Sequence, residues 1–137
     1  MNRRVLYLTS SRELATEVAR SAQRGALEVD HAPGLAHALA LLRRHPYAAI
    51  LTDASLGDAT WRDVLAHTRR AGLRCAVIVA DRLADEELWA EVLDAGAYDL
   101  LAQPFDAGEL RRVLDHACGE AVRPRPAVRS AGTQRAV

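Results

Sequence analysis

Two runs of this 137-residue chain hold no charge until their last residue: Tyr47-Ala48-Ala49-Ile50-Leu51-Thr52-Asp53 and Cys75-Ala76-Val77-Ile78-Val79-Ala80-Asp81. Short stretches that are apolar at nearly every position, rather than at every second one, read as strands buried on both faces. A parallel sheet covered by helices on either side produces that pattern. An acid at the carboxyl end of such a strand stands where open α/β sheets place their ligands and chemistry. Asp53 also suits the start of the turn that follows it, Ala54 to Asp58, since Asp is a common turn residue.

The remaining segments fit the same architecture. Val5–Leu8 is a short apolar strand ending at Thr9-Ser10-Ser11, and Ser10 with Glu13 has the spacing of a capping box opening a helix. Leu14, Val18 and Ala22 give that helix its inner face, and Gly25 closes it. Leu27–Asp30 alternates, which predicts an edge strand with one wet face. A second helix is expected from Pro33 to Pro46, a third from about Thr60 to Ala71, and an acidic fourth from about Ala84 to Ala95. Tyr98–Ala102 is the fifth strand, broken by Gln103-Pro104, and the last helix runs from Asp106 to about Cys118 on a Leu110, Val113, Leu114, Ala117 stripe. Five strands alternating with five helices through short connections predict a doubly wound parallel α/β fold. Residues 1–120 form its single domain, and 121–137, rich in Pro, Arg, Ala and Ser, are expected to be a flexible tail.

Composition narrows the function. The 18 basic residues are all arginine and match 18 acids, so the net charge of zero gives no general sign of a nucleic-acid partner. The tail carries four of those arginines and no acid, leaving residues 1–122 with 14 arginines against 18 acids, a net of −4. Cys75 and Cys118 form no Cys-x-x-Cys motif, the five histidines show no metal-ligand spacing, and no Ser-His-Asp order or glycine-rich phosphate loop appears. No run approaches the ~20 apolar residues of a membrane span. A cytoplasmic protein without enzymatic activity, resident cofactor, nucleic-acid partner or membrane segment is expected.

The decapeptide Gly96-Ala97-Tyr98-Asp99-Leu100-Leu101-Ala102-Gln103-Pro104-Phe105 resembles the GADDYLxKPF stretch of response-regulator receiver domains, the phospho-acceptor modules of two-component signalling. The resemblance covers roughly residues 3–120. It implies a flavodoxin-like (βα)5 fold with strand order 2-1-3-4-5, Asp53 as the phospho-acceptor position, Thr9 and Ser10 beside it, and a cis peptide at Gln103-Pro104.

Measured against that family, the departures fall on the chemistry. Thr9 and Ser10 stand where receivers carry the two acids that hold Mg²⁺ with the acceptor, so Mg²⁺ is expected to bind weakly at most. Gln103 replaces the lysine that neutralises phosphoryl oxygens, and Asp81 replaces the hydroxyl residue that grips them. Leu100 replaces the aromatic switch residue, and in the loop after the acceptor, past Ser55, Gly57 replaces a proline. Thr9, Ser10 and Asp81 also admit a plain capping or turn role. Asp53 and Asp81 sharing a proton is a further reading.

Three functions follow. The first is a stand-alone pseudo-receiver acting by protein–protein contact with impaired or absent Asp phosphorylation. Its partner would be a histidine kinase, a downstream effector or a second copy, met through the fourth helix, fifth strand and fifth helix with Trp89, Arg111 and Arg112. The second is a conventional receiver using Asp53. The third is a small-molecule or phosphate-ligand binder of flavodoxin-like fold, using Thr9-Ser10-Ser11 at a helix amino end.

Overall fold

The computed structural model describes residues 2–119; the tail expected over 121–137 lies outside the described residues. Five strands and five helices alternate: β1 (Arg4–Leu8), α1 (Arg12–Gln23), β2 (Glu28–Ala32), α2 (Leu35–Arg44), β3 (Ala49–Asp53), α3 (Trp61–Arg70), β4 (Ala76–Asp81), α4 (Glu86–Asp94), β5 (Asp99–Ala102) and α5 (Ala107–Gly119). All strand pairings are parallel, in the order β2-β1-β3-β4-β5. The expected architecture and strand order are therefore present, with β2 at an edge and Glu28 on it exposed.

The absence of alternation in β3 and β4 has a direct cause. One face of the sheet sends Tyr7, Leu51, Ile78 and Leu101 into a core closed by Val18 and Ala22 of α1 and by Leu110 and Leu114 of α5. The other sends Leu6, Ile50, Val79 and Leu100 into a second core closed by Ala38 of α2, Val64 and Leu65 of α3, and Val92 of α4. Successive side chains of one strand thus enter different cores, and both must be apolar.

Local chemistry sets the helix starts, and here three expectations need correction. Ser11, not Ser10, caps α1: its Oγ accepts the Leu14 amide at 3.1 Å, while Ser10 is exposed. Gly34 occupies the cap of α2, which starts at Leu35, so Pro33 lies two residues ahead of the first helical position expected for it. Asp85 caps α4 through the Leu88 amide at 2.8 Å, which starts that helix at Glu86. Shifted caps of this size are ordinary, because two neighbouring polar residues can serve one helix end equally well by type. Thr60 and Asp63 complete a reciprocal capping box on α3, with the Thr60 amide donating to the Asp63 carboxylate at 2.9 Å.

Gly57 sits in a tight turn between Ser55 and Thr60, which pair as an antiparallel bridge while the Leu56 amide donates to the Ala59 carbonyl at 2.8 Å. Its φ of +85° is closed to proline, whose ring fixes φ near −65°. The glycine that departs from the receiver pattern is the residue this turn requires.

Leu114 is fully buried beneath the sheet. Replacing it with alanine is expected to cost about 2–5 kcal/mol, the range for deleting a buried leucine side chain. Urea unfolding of Leu114→Ala should show the lowered midpoint with an unchanged slope.

Candidate functional site

The register of the sheet decides what surrounds Asp53. Tyr7 lies opposite Leu51 and Leu8 opposite Thr52, so the next residue, Thr9, falls beside Asp53 at the carboxyl end of β3. Thr9 is fully buried; its amide donates to the Ala32 carbonyl at 3.0 Å, and its hydroxyl oxygen accepts the Ser11 amide at 3.1 Å. The His31 ring nitrogen Nε2 stands 2.8 Å from the Thr9 carbonyl, a contact that places the proton on Nε2. With its backbone held from two sides, Thr9 aims Oγ1 at Asp53 Oδ2, to which it donates at 2.6 Å.

The other carboxylate oxygen receives two more donors. Tyr7 donates its phenol proton to Asp53 Oδ1 at 2.7 Å. Gln103 donates from Nε2 to the same oxygen at 2.8 Å, and that nitrogen lies 3.2 Å from the Tyr7 hydroxyl. A carboxylate can only accept here, so the Gln103 amide must present its NH₂ group. The Gln103 backbone amide is tied to the Asp81 carbonyl at 3.0 Å, and the Gln103-Pro104 peptide is cis, as the resemblance implied.

Tyr7 is the residue of this candidate site that the sequence did not reveal. It stood inside an apolar run and counted as core, which in part it is: its ring meets Phe105 edge-on, centroids 6.1 Å apart. The available signal was its spacing. Tyr7 lies two residues before Thr9 on one strand, hence on the same side, and it carries the only side-chain polar atom of β1 between Arg4 and Thr9. Burial, followed by the negative charge of Asp53, drives the Tyr7 phenol far above the usual tyrosine range.

The remaining candidate positions are distributed differently. Asp81 ends β4, and its carboxylate accepts the Leu83 amide at 3.3 Å, a turn-forming role; both Asp53 oxygens are engaged by Tyr7, Thr9 and Gln103. Leu100 is buried in the core beneath α2, α3 and α4. Ser10, Ser55 and Gly57 are exposed on the loops around the site. Trp89 of α4 is half-buried with its ring packed on that same core, and Arg111 of α5 is half-buried while Arg112 is exposed. Among the described residues, the indole N–H of Trp89 and Nη1 of Arg111 are buried without an acceptor.

Residues 9–115 match the family described as response regulator receiver domain. The chain belongs to the response regulator receiver domain family. Receivers are signalling modules of two-component systems that meet kinases and effectors and, in general, bind Mg²⁺ at the phosphorylation site. The response regulator protein PilR of Pseudomonas aeruginosa is 29% identical over 88 residues, which make up 64% of this chain and 20% of that protein. The chain thus spans about a fifth of the length of that curated relative. Among solved structures, the signal receiver domain of a putative Luxo repressor protein from Vibrio parahaemolyticus superposes with a TM-score of 0.82 at 23% identity, covering 88% of this chain and 93% of that one. Chemotaxis response regulator CheY4 of Vibrio cholerae gives 0.76 at 21% identity over 85% and 99%. At these identities the two structures speak for the receiver fold. No helix among the described residues is long and apolar enough to cross a membrane.

The Tyr7–Asp53 contact has a measurable signature. Because the folded phenol titrates above its ordinary value of 10.0, its contribution to stability is complete below pH 10 and declines as the pH rises further. Tyr7→Phe should lower stability by about 1–2 kcal/mol at pH 7, the loss of one hydrogen bond to a half-exposed carboxylate. The gap between wild type and variant should narrow above pH 10, and urea unfolding from pH 7 to 11 measures it.

Proposed function

We propose that this chain is an atypical receiver that signals through protein–protein contact and takes up a phosphoryl group on Asp53 slowly or not at all. The observation that carries this reading is the occupation of both Asp53 oxygens by neutral donors, Tyr7 and Gln103 on one and Thr9 on the other. A phosphoryl transfer to Asp53 needs a carboxylate oxygen free to attack and positive charge to offset the incoming phosphoryl oxygens. Neither hydroxyl nor amide supplies that charge.

The donor set suits Mg²⁺ poorly. This hard cation favours carboxylates and water in octahedral geometry, whereas here one carboxylate faces two hydroxyls and an amide nitrogen that cannot ligate a cation. Among the described residues, no group of three His, Cys, Asp or Glu side chains gathers that could hold a metal.

The α4-β5-α5 face is the surface we assign to a partner, which is a kinase, an effector or a second copy. Trp89 and Arg111 are half-exposed there and Arg112 is exposed, which leaves parts of all three within a partner's reach. Conventional phospho-acceptance is the second reading, and it draws on the partial exposure of Asp53. The reading of Thr9-Ser10-Ser11 as a small-molecule or phosphate site has less support, since the Thr9 hydroxyl is spent on Asp53 and the Ser11 hydroxyl on the Leu14 amide.

Acetyl phosphate with Mg²⁺, followed by phosphate-affinity electrophoresis, separates the first two readings. We expect little or no shifted protein beside a conventional receiver treated in parallel. Near-complete incorporation that disappears in Asp53→Asn would establish the conventional reading instead. Partner binding should be indifferent to Asp53→Asn and should weaken about tenfold or more in Trp89→Ala, as for a central aromatic contact.

A further inference from the structure

At the end of the sheet opposite Asp53, where β3 and β4 begin, a cleft of about 350 Å³ opens between the end of α2 and the loop from α3 to β4. Its polar lining comes from Arg43, Arg44, His45 and Arg74, and no acid lines it. Leu42, Tyr47 and Leu73 supply apolar walls. An adjoining hollow of about 200 Å³ shares Leu73 and Arg74 and adds Arg69.

We propose that this cleft binds a small phosphate-bearing ligand. Arginines in the last turn of a helix have an ordinary explanation, since they complement the negative end of its dipole. That explanation covers too little charge. The carboxyl end of α2 contributes about half a negative charge, against three arginines that line the cleft. Arg43, Arg44 and Arg74 are exposed and have no acidic partner among the described residues.

The acids nearest in the sequence of contacts are already engaged. Asp30 takes the Tyr47 hydroxyl at 2.6 Å and faces Arg4 at 3.3 Å, which also lies 3.8 Å from Glu28. His45 adds one more donor. Its Nδ1 stands 3.4 Å from Arg4 Nη1, and a guanidinium can only donate, so the ring proton belongs on Nε2.

Guanidinium groups present paired N–H donors that match phosphate oxygens two at a time, which a tightly hydrated ammonium does not do. The apolar walls give the rest of such a ligand a surface to pack against. The volume falls in the range of small-ligand sites rather than of macromolecular grooves. This site is independent of Asp53 and of the reading given to it above.

The test is a titration of the full ¹⁵N-labelled chain with sodium pyrophosphate at constant ionic strength, followed by NMR. Saturable shifts confined to residues 42–47 and 69–75 are expected. Affinity should fall about tenfold or more in the doubly substituted Arg43→Gln, Arg74→Gln chain. It should hold within about twofold in an Arg12→Gln, Arg20→Gln chain, which loses the same charge from the surface of α1. Thermal unfolding of both variants checks that the fold is intact. A nucleoside diphosphate that binds tighter than pyrophosphate supports the proposal and gives the apolar walls to a base; equal affinity supports it with phosphate alone recognised. Shifts that never saturate, equal weakening by both double substitutions, or citrate binding as tightly as pyrophosphate would overturn it.

Discussion

A carboxylate at the end of a buried strand must be matched by donors, and the arrangement around Asp53 follows from that demand. Leaving such a group without partners costs far more than any single hydrogen bond contributes. Receivers commonly meet it with a metal ion and a lysine. In this chain, which contains no lysine, Tyr7, Thr9 and Gln103 meet it with three uncharged donors, drawn from β1 and from the loop after β5. Three segments distant in sequence are thereby fastened at one point, so the contact belongs to the architecture as much as to any signalling chemistry.

That point lies where the sheet's two cores meet the solvent. Tyr7 belongs by its ring to the α1–α5 core and by its hydroxyl to the site, while Leu100, one strand face away, belongs wholly to the α2–α3–α4 core. An aliphatic residue at the Leu100 position is packed as core and has no polar atom to carry toward Asp53. Gln103 thus meets Asp53 directly, while Leu100 contributes to the fold alone.

Much of this was legible in the sequence because parallel sheets leave a strong imprint. Apolar runs of strand length, glycines at the ends of helices (Gly72 and Gly96 take the expected positive φ, whereas after α1 it is Ala26 and not Gly25 that does) and short connections specified the strand order once the receiver resemblance was recognised. The position of Asp53 and the neighbourhood of Thr9 followed from that order. Tyr7 was missed because its aromatic ring satisfies the pattern of a core residue, and hydrophobic periodicity does not see a phenol hydroxyl. Ser10 was mistaken for a cap because Ser10 and Ser11 are chemically identical candidates, and only backbone geometry distinguishes them. The role of Asp81 turned on a similarly local matter, since its carboxylate meets an amide two residues away.

The neutrality of the donors has one more consequence. Charges attract over a Debye length, about 8 Å at physiological salt, and ions in solution screen them. Hydroxyl and amide dipoles act only at contact distance. Asp53 is thus held by interactions that salt leaves nearly untouched, while its own negative charge, which these uncharged donors do not offset, still repels an approaching anion over that distance.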